Sequence, residues 1–346
     1  MIRRGGPWMS VGVLAMFVAG CGNFEDVTTV IDLRVLAIAA EPPEIVVDPM
    51  HLDGPFQTTL TALVGDPTGQ ARPISVDVLA CPRQIDAVTA ATGRNGVVCK
   101  PFDPQSTDPD ASVAVTPSSA PPMVDRTPFG DGEIALPFVF PQDLLLRAYR
   151  LDPFAQLGFQ MPITFQFVVA AGDQREIATK RMIFAVAPPD HPDQLANSNP
   201  HLTGLSTYVS RDDQGMPVDP QPFELDHPPE VPLGGSLWFE PEGADGQAET
   251  YFTRALTREA NPQVVVNQLK ETLRYAFYTS AGSWSPPSTI TAPPIVREQP
   301  ERVHLESRYR APTVMPADPN VTFWVIVRDE RGGASWTKGR LTLVTR

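Results

Sequence analysis

The run Ile163-Thr-Phe-Gln-Phe-Val-Val-Ala170, the pair Gly172-Asp173 and the run Glu176 to Val186 decide the fold. Two apolar stretches of strand length flank a glycine-containing turn, the signature of a β-hairpin. A second hairpin of the same kind closes the chain. Val321-Thr-Phe-Trp-Val-Ile-Val327 is followed by the tight turn Asp329-Glu330-Arg331-Gly332-Gly333 and by the strand Arg340 to Val344.

Working outward from these hairpins, each half repeats one scheme. A leading strand meets a proline-rich break, alternating strands follow, and a hairpin ends the series. In the first half the leading strand is Ile31-Asp-Leu-Arg-Val-Leu-Ala-Ile-Ala39, broken by Glu41-Pro42-Pro43-Glu44. Its apolar residues stand at 31, 33 and 35 but also at 36 to 39, so it is expected to be buried partly on both faces. Thr58 to Val64, Ile74 to Ala80 and Glu133 to Phe140 are further strands, and Pro141 to Tyr149 is the best helix, with Pro141 suited to a first turn. In the second half Ser236 to Phe239, Glu249 to Phe252, Leu273 to Tyr278 and Arg302 to Tyr309 precede the closing hairpin. The expected fold is all-β: two tandem antiparallel Ig-like β-sandwiches, residues 31–188 and 189–346, divided at Pro188-Pro189-Asp190-His191-Pro192. Residues 82–131 and 211–232, rich in Pro and Asp, are expected to be surface loops.

Composition agrees. The chain holds 39 prolines in 346 residues, about twice the usual ~5 % share, which argues against long helices and for short strands joined by proline-marked loops. Hydrophobic residues, at 42 %, suffice for packed cores.

The first twenty-one residues carry an address. Arg3 and Arg4 precede the apolar run Val11 to Val18, which is too short to span a bilayer, and Val18-Ala19-Gly20 leads into Cys21. This layout resembles a bacterial lipobox. It implies removal of residues 1–20, a lipid on Cys21, a tether over 21–30 and a partner in the membrane itself. Gly22 after the cysteine fits outer-membrane sorting, with the facing side of the envelope left open. Removing residues 1–20, which hold two of the 27 basic residues and no acidic one, leaves 25 basic against 40 acidic residues, a formal net charge of −15. Such a surface repels nucleic acid. The two remaining cysteines, Cys81 and Cys99, are expected to form a disulfide in an oxidising compartment.

Two stretches resemble a known group. Asp32-Leu-Arg-Val-Leu-Ala-Ile-Ala-Ala-Glu-Pro-Pro-Glu44 is similar to the start of Ig-like envelope lipoproteins of myxobacterial type. Arg274 to Trp284 together with Trp324 to Gly333 is similar to their C-terminal sandwich. The resemblance implies a fold and a compartment, and no activity, ligand or site residues.

Chemistry-bearing motifs are sparse. His51, His191, His201, His227 and His304 show no metal-ligand spacing. Acidic residues cluster at Asp103, Asp108 and Asp110, at Asp212 and Asp213, and at Glu240, Glu242 and Asp245. None follows the EF-hand pattern, and calcium stays an open question. Ala281-Gly282-Ser283-Trp284-Ser285 lacks the nucleophile-elbow glycine spacing. No cofactor and no catalysis are expected. The function expected is a structural or protein-interaction module of the cell envelope with a protein partner. A carbohydrate- or matrix-binding module using outward aromatics such as Trp284 is the alternative, and an envelope hydrolase comes third.

Overall fold

A computed structural model describes residues 26–48, 51–52, 54–66, 72–82, 99–100, 108–116, 120–127, 130–188, 190–243, 247–259, 261–291 and 304–345. The lipobox and Cys21 lie outside the described residues.

The first half contains β1 (Arg34–Glu41), β2 (Glu44–Val46), β3 (Gln57–Gly65), β4 (Ser75–Cys81), β5 (Val113–Ala114), β6 (Asp125–Arg126), β7 (Asp131–Val139), β8 (Met161–Ala171) and β9 (Gln174–Ala185). They form one sheet of order β1-β3-β7-β6 and a second of order β2-β9-β8-β4-β5. Alternation brings the apolar faces together: Ile38, Leu60, Leu136 and Phe138 from one sheet meet Val76, Phe165, Phe167 and Phe184 from the other. Edge-to-face contacts among Phe138, Phe140, Phe165 and Phe184 fill the centre. Helix α1 (Gln142–Leu151) follows Pro141 and buries Leu144, Leu145 and Ala148 on this core. Helix α2 (Pro153–Gln156) is capped by the Asp152 carboxylate, which accepts from the Phe154 and Ala155 N–H groups.

The second half comprises β10 (Gly204–Tyr208), β11 (Ser210–Arg211), β12 (Pro217–Val218), β13 (Gln221–Pro222), β14 (Glu230–Pro232), β15 (Ser236–Glu242), β16 (Thr250–Leu256), β17 (Val264–Lys270), β18 (Arg274–Thr279), β19 (Ser283–Ser285), β20 (Ser288–Ile290), β21 (Ser307–Arg310), β22 (Asn320–Arg328) and β23 (Ala334–Val344). Its sheets run β13-β10-β15-β21-β19 and β14-β23-β22-β18-β20. The topology of the first half recurs. A short strand crosses to the opposite sheet and lies parallel to the last strand, β2 on β9 and β14 on β23. Beside it the orders β9-β8-β4 and β23-β22-β18 correspond. Both halves are therefore Ig-like sandwiches, and the fold is all-β as expected. Both closing hairpins form, with Gly172 at φ 62 and Gly332 at φ 101 in turn conformations that glycine adopts without steric cost.

Three local expectations are corrected. Residues 113–116 and 124–126 of the 82–131 segment are part of the sandwich: β5 pairs with β4, β6 pairs with β7, and Ala111, Thr116 and Val124 are buried. Strands of two residues have no period from which to read them. Residues 26–30 are not a free tether. The Thr29 hydroxyl donates to the Gly282 carbonyl, the Trp284 N–H donates to the Thr28 hydroxyl, and Val30 is fully buried. Trp284 is not outward: it is 2 % exposed and packs against Phe239, Phe277 and Tyr309 in the second core.

Candidate functional site

The two sandwiches share a seam. The leading strand β1 and its neighbour β3 turn Leu36, Ala37 and Leu63 away from the first core, where they meet Trp324 and Ile326 of β22, with Tyr278 and Trp336 alongside. These residues explain the double-sided apolar pattern of both stretches. Phe323, Val325 and Val327 fill the second core while Trp324 and Ile326 fill the seam. The Trp324 indole N–H donates to the buried Asp131 carboxylate at 2.8 Å, and the Trp336 indole N–H donates to Glu133 at 3.1 Å.

At one end of the seam stands Arg331, in the turn between β22 and β23 and 4 % exposed. Its guanidinium donates to both oxygens of Glu44, at 2.6 and 3.2 Å, and to Glu249 and Glu271, each at 3.2 Å. It also lies 4.7 Å above the Tyr251 ring. The remaining oxygens of the glutamates are engaged too: the Ser198 hydroxyl donates to Glu249, and the Glu249 N–H donates to Glu271. Burial pushes the Glu271 carboxyl up to about 7, against the lowering pull of that N–H and of Arg331. Burial likewise raises Glu44. With all six carboxylate oxygens holding donors, the group acts as a clamp. It joins the first sandwich through Glu44, the closing turn through Arg331, and both strands at the base of the β16–β17 hairpin through Glu249 and Glu271.

That hairpin is the feature the clamp positions. Among the described residues strands β16 and β17 pair only with each other, from Thr250 opposite Lys270 to Leu256 opposite Val264. The β16 side is held to the body. Phe252 stacks on His191 with ring centroids 3.5 Å apart, its N–H donates to Gln194, and the Arg254 guanidinium donates to the carbonyls of Leu157 and Gly158. On the other side β17 pairs with no further strand among the described residues. Val264, Val265 and Val266 are 47, 37 and 37 % exposed.

Edges elsewhere are blunted. Among the described residues the other edge strands span two or three residues, apart from β1 and β16, and many carry or adjoin proline, as at Pro217, Pro222, Pro232 and Pro286-Pro287. Strand β1 is covered, with Arg328 donating to the Leu36 carbonyl and Asn199 to the Ala40 carbonyl. Among the described residues only β17 combines seven residues, no proline and an open edge.

The residues singled out from sequence lie elsewhere. Cys81 and Cys99 form a disulfide with Cα atoms 5.8 Å apart, and the Cys99 N–H donates to Gln166 of β8. His51, His227 and His304 meet the carboxylates of Asp48, Glu224 and Glu306. Asp108 and Asp110 hold Lys100, and Asp212 closes a turn by accepting from the Gln214 and Met216 N–H groups. Asp103 and Asp245 lie outside the described residues. Among the described residues no group of three or more His, Cys, Asp or Glu side chains could hold a metal ion, and no helix is long and apolar enough to cross a membrane.

No protein-family model and no curated protein matches the chain. Solved structures do resemble it at low similarity. A crystal structure of Salmonella alpha-2-macroglobulin is 10 % identical with a TM-score of 0.24, over 91 % of this chain and 16 % of that one. The Yersinia pseudotuberculosis adhesin InvE is 8 % identical with a TM-score of 0.19, over 88 % of this chain and 58 % of the adhesin. Escherichia coli alpha-2-macroglobulin activated by porcine elastase is 13 % identical with a TM-score of 0.21, over 93 % and 22 %. The chain thus spans less than two thirds of each of these proteins.

Proposed function

We propose that the protein is a non-catalytic interaction module of the bacterial cell envelope, lipid-anchored through Cys21, that binds an extended segment of a partner protein by strand addition to β17. The open β17 edge carries this reading. The N–H and C=O groups that face away from β16, at alternate positions over the seven residues of β17, offer a ladder to an incoming strand, and the valines offer it apolar contact. The clamp at Arg331 supports it, because a hairpin whose two strands are fixed at its base presents its edge with less ordering cost on binding. The anchor and the outer-membrane location rest on Val18-Ala19-Gly20-Cys21 and Gly22.

Successive N–H groups along β17 alternate between β16 and the open edge, so one of Val265→Pro and Val266→Pro leaves the hairpin bonds intact. A mild-detergent pull-down of the tagged protein from its own cells should recover a stoichiometric envelope protein. The proline variant that keeps the wild-type melting temperature should lose it. Retention of the partner by that variant would rule out strand addition at β17. The anchor is tested separately: Cys21→Ser should move the protein from the membrane to the soluble fraction, and continued membrane association would refute lipidation there.

A further inference from the structure

A cleft of about 280 Å³ opens beside the seam, between β1, β9 and the β22–β23 turn. Its walls are apolar at Val35, Ile38 and Ala178. Three cations line it: Lys180, Arg181 and Arg328.

The chain has only four lysines. Lys100 is paired with Asp108 and Asp110, Lys338 with Asp131 and Glu133, and Lys270 ends the exposed strand β17. Lys180 is different: 7 % exposed, with its ammonium donating to the Gly332 carbonyl and, among the described residues, no carboxylate within ion-pair distance. Arg328, partly buried, donates to the Leu36 carbonyl at 2.6 Å and to Tyr278, again with no ion pair among the described residues. The two acids that line the cleft are already engaged. Asp329 accepts from the Gly333 N–H and the Asn197 amide, and Glu330 accepts from the Tyr251 hydroxyl.

Buried cations bonded only to neutral groups are costly, and a bound anion relieves that cost. We propose that this cleft binds a small organic carboxylate. Its charged end would meet the Lys180 ammonium on the Arg328 side, and its carbon chain would lie on Val35, Ile38 and Ala178. Phosphate or another inorganic oxyanion would satisfy the cations and leave the apolar walls without a partner. Burial already pushes the Lys180 amine down to about 8, with Asp329 opposing and Arg328 and Arg181 reinforcing the fall. A bound carboxylate would raise it again.

The test uses the full chain in detergent, labelled with ¹³C at the lysine ε-carbon, which yields four signals. Butyrate is titrated against phosphate at matched ionic strength. Butyrate should move the Lys180 signal alone, saturably, and raise the pH at which it titrates. Lys180→Met keeps the stem and removes the buried charge, so it should fold as well as the wild type. It should bind butyrate roughly tenfold or more weakly, read as loss of the ligand-induced rise in melting temperature. Three outcomes would overturn the proposal: no saturable response, equal movement of all four signals, or an equal response to phosphate.

Discussion

At the scale of single residues, Glu271 is the most consequential titrating group of the clamp. Its carboxyl is raised to about 7 in the folded protein, so the fold holds a proton there that the unfolded chain releases near its ordinary value. The stability so gained is present below about pH 4.5 and is lost as the pH rises through about 7, amounting to about 3 kcal/mol at most. Urea unfolding at about pH 5 and about pH 8 should show this fall in the wild type, and Glu271→Gln should flatten it. An unchanged pH slope in the variant would mean that Glu271 is ionised in the clamp across this range. Neither Arg331 nor Glu271 was legible as a clamp residue from sequence. Arg331-Gly332-Gly333 carries an ordinary turn signal, and the carboxylates that meet it come from positions 44, 249 and 271. Only the packing of one sandwich on the other brings them together. Lys180 was hidden for the same reason: it occupies an ordinary strand position until the β22–β23 turn closes over it.

At the scale of elements, strands with one or two buried faces were legible and strands with none were not. Phe323 to Val327 is apolar without interruption because Phe323 and Val325 fill a core while Trp324 and Ile326 fill the seam. Ile31 to Ala39 is over-apolar for the same reason, with Ile38 and Ala40 turned one way and Leu36 and Ala37 the other. In contrast β17 has three consecutive valines and then Asn267, Gln268 and Lys270, a pattern with neither alternation nor a buried face. That β17 keeps apolar side chains while burying almost none of them among the described residues is the physical ground for proposing recognition there. The prolines so frequent in this sequence acquire a second meaning here. Beyond ending strands, they stand at sheet edges where a neighbouring chain would otherwise pair, and their absence from β17 marks the edge left open.

At the scale of the whole molecule, the seam makes two sandwiches into one body. Its apolar cluster and the buried bond from Trp324 to Asp131 join them. Calorimetry should show a single unfolding transition for the wild type. Trp324→Ala removes the largest seam side chain and leaves Asp131 without its indole donor, at a cost of about 3–5 kcal/mol. The two halves of the variant should melt separately. Two transitions in the wild type, or one undisturbed transition in the variant, would show that the seam does not couple the halves. Tandem domains joined by a flexible linker would orient a binding edge poorly, whereas this coupling holds β17 in a fixed direction relative to residue 26.

The docking of residues 28–30 bears on how mechanical load enters the molecule. Thr28, Thr29 and Val30 are fastened to Thr279, Gly282 and Trp284, near the end of β18 and on β19. A pull on the amino-terminal segment is therefore borne by the second sandwich, although the first follows in sequence. The first sandwich lies off the line of tension until those three residues peel away, and an extension of the chain would then precede any loss of either core.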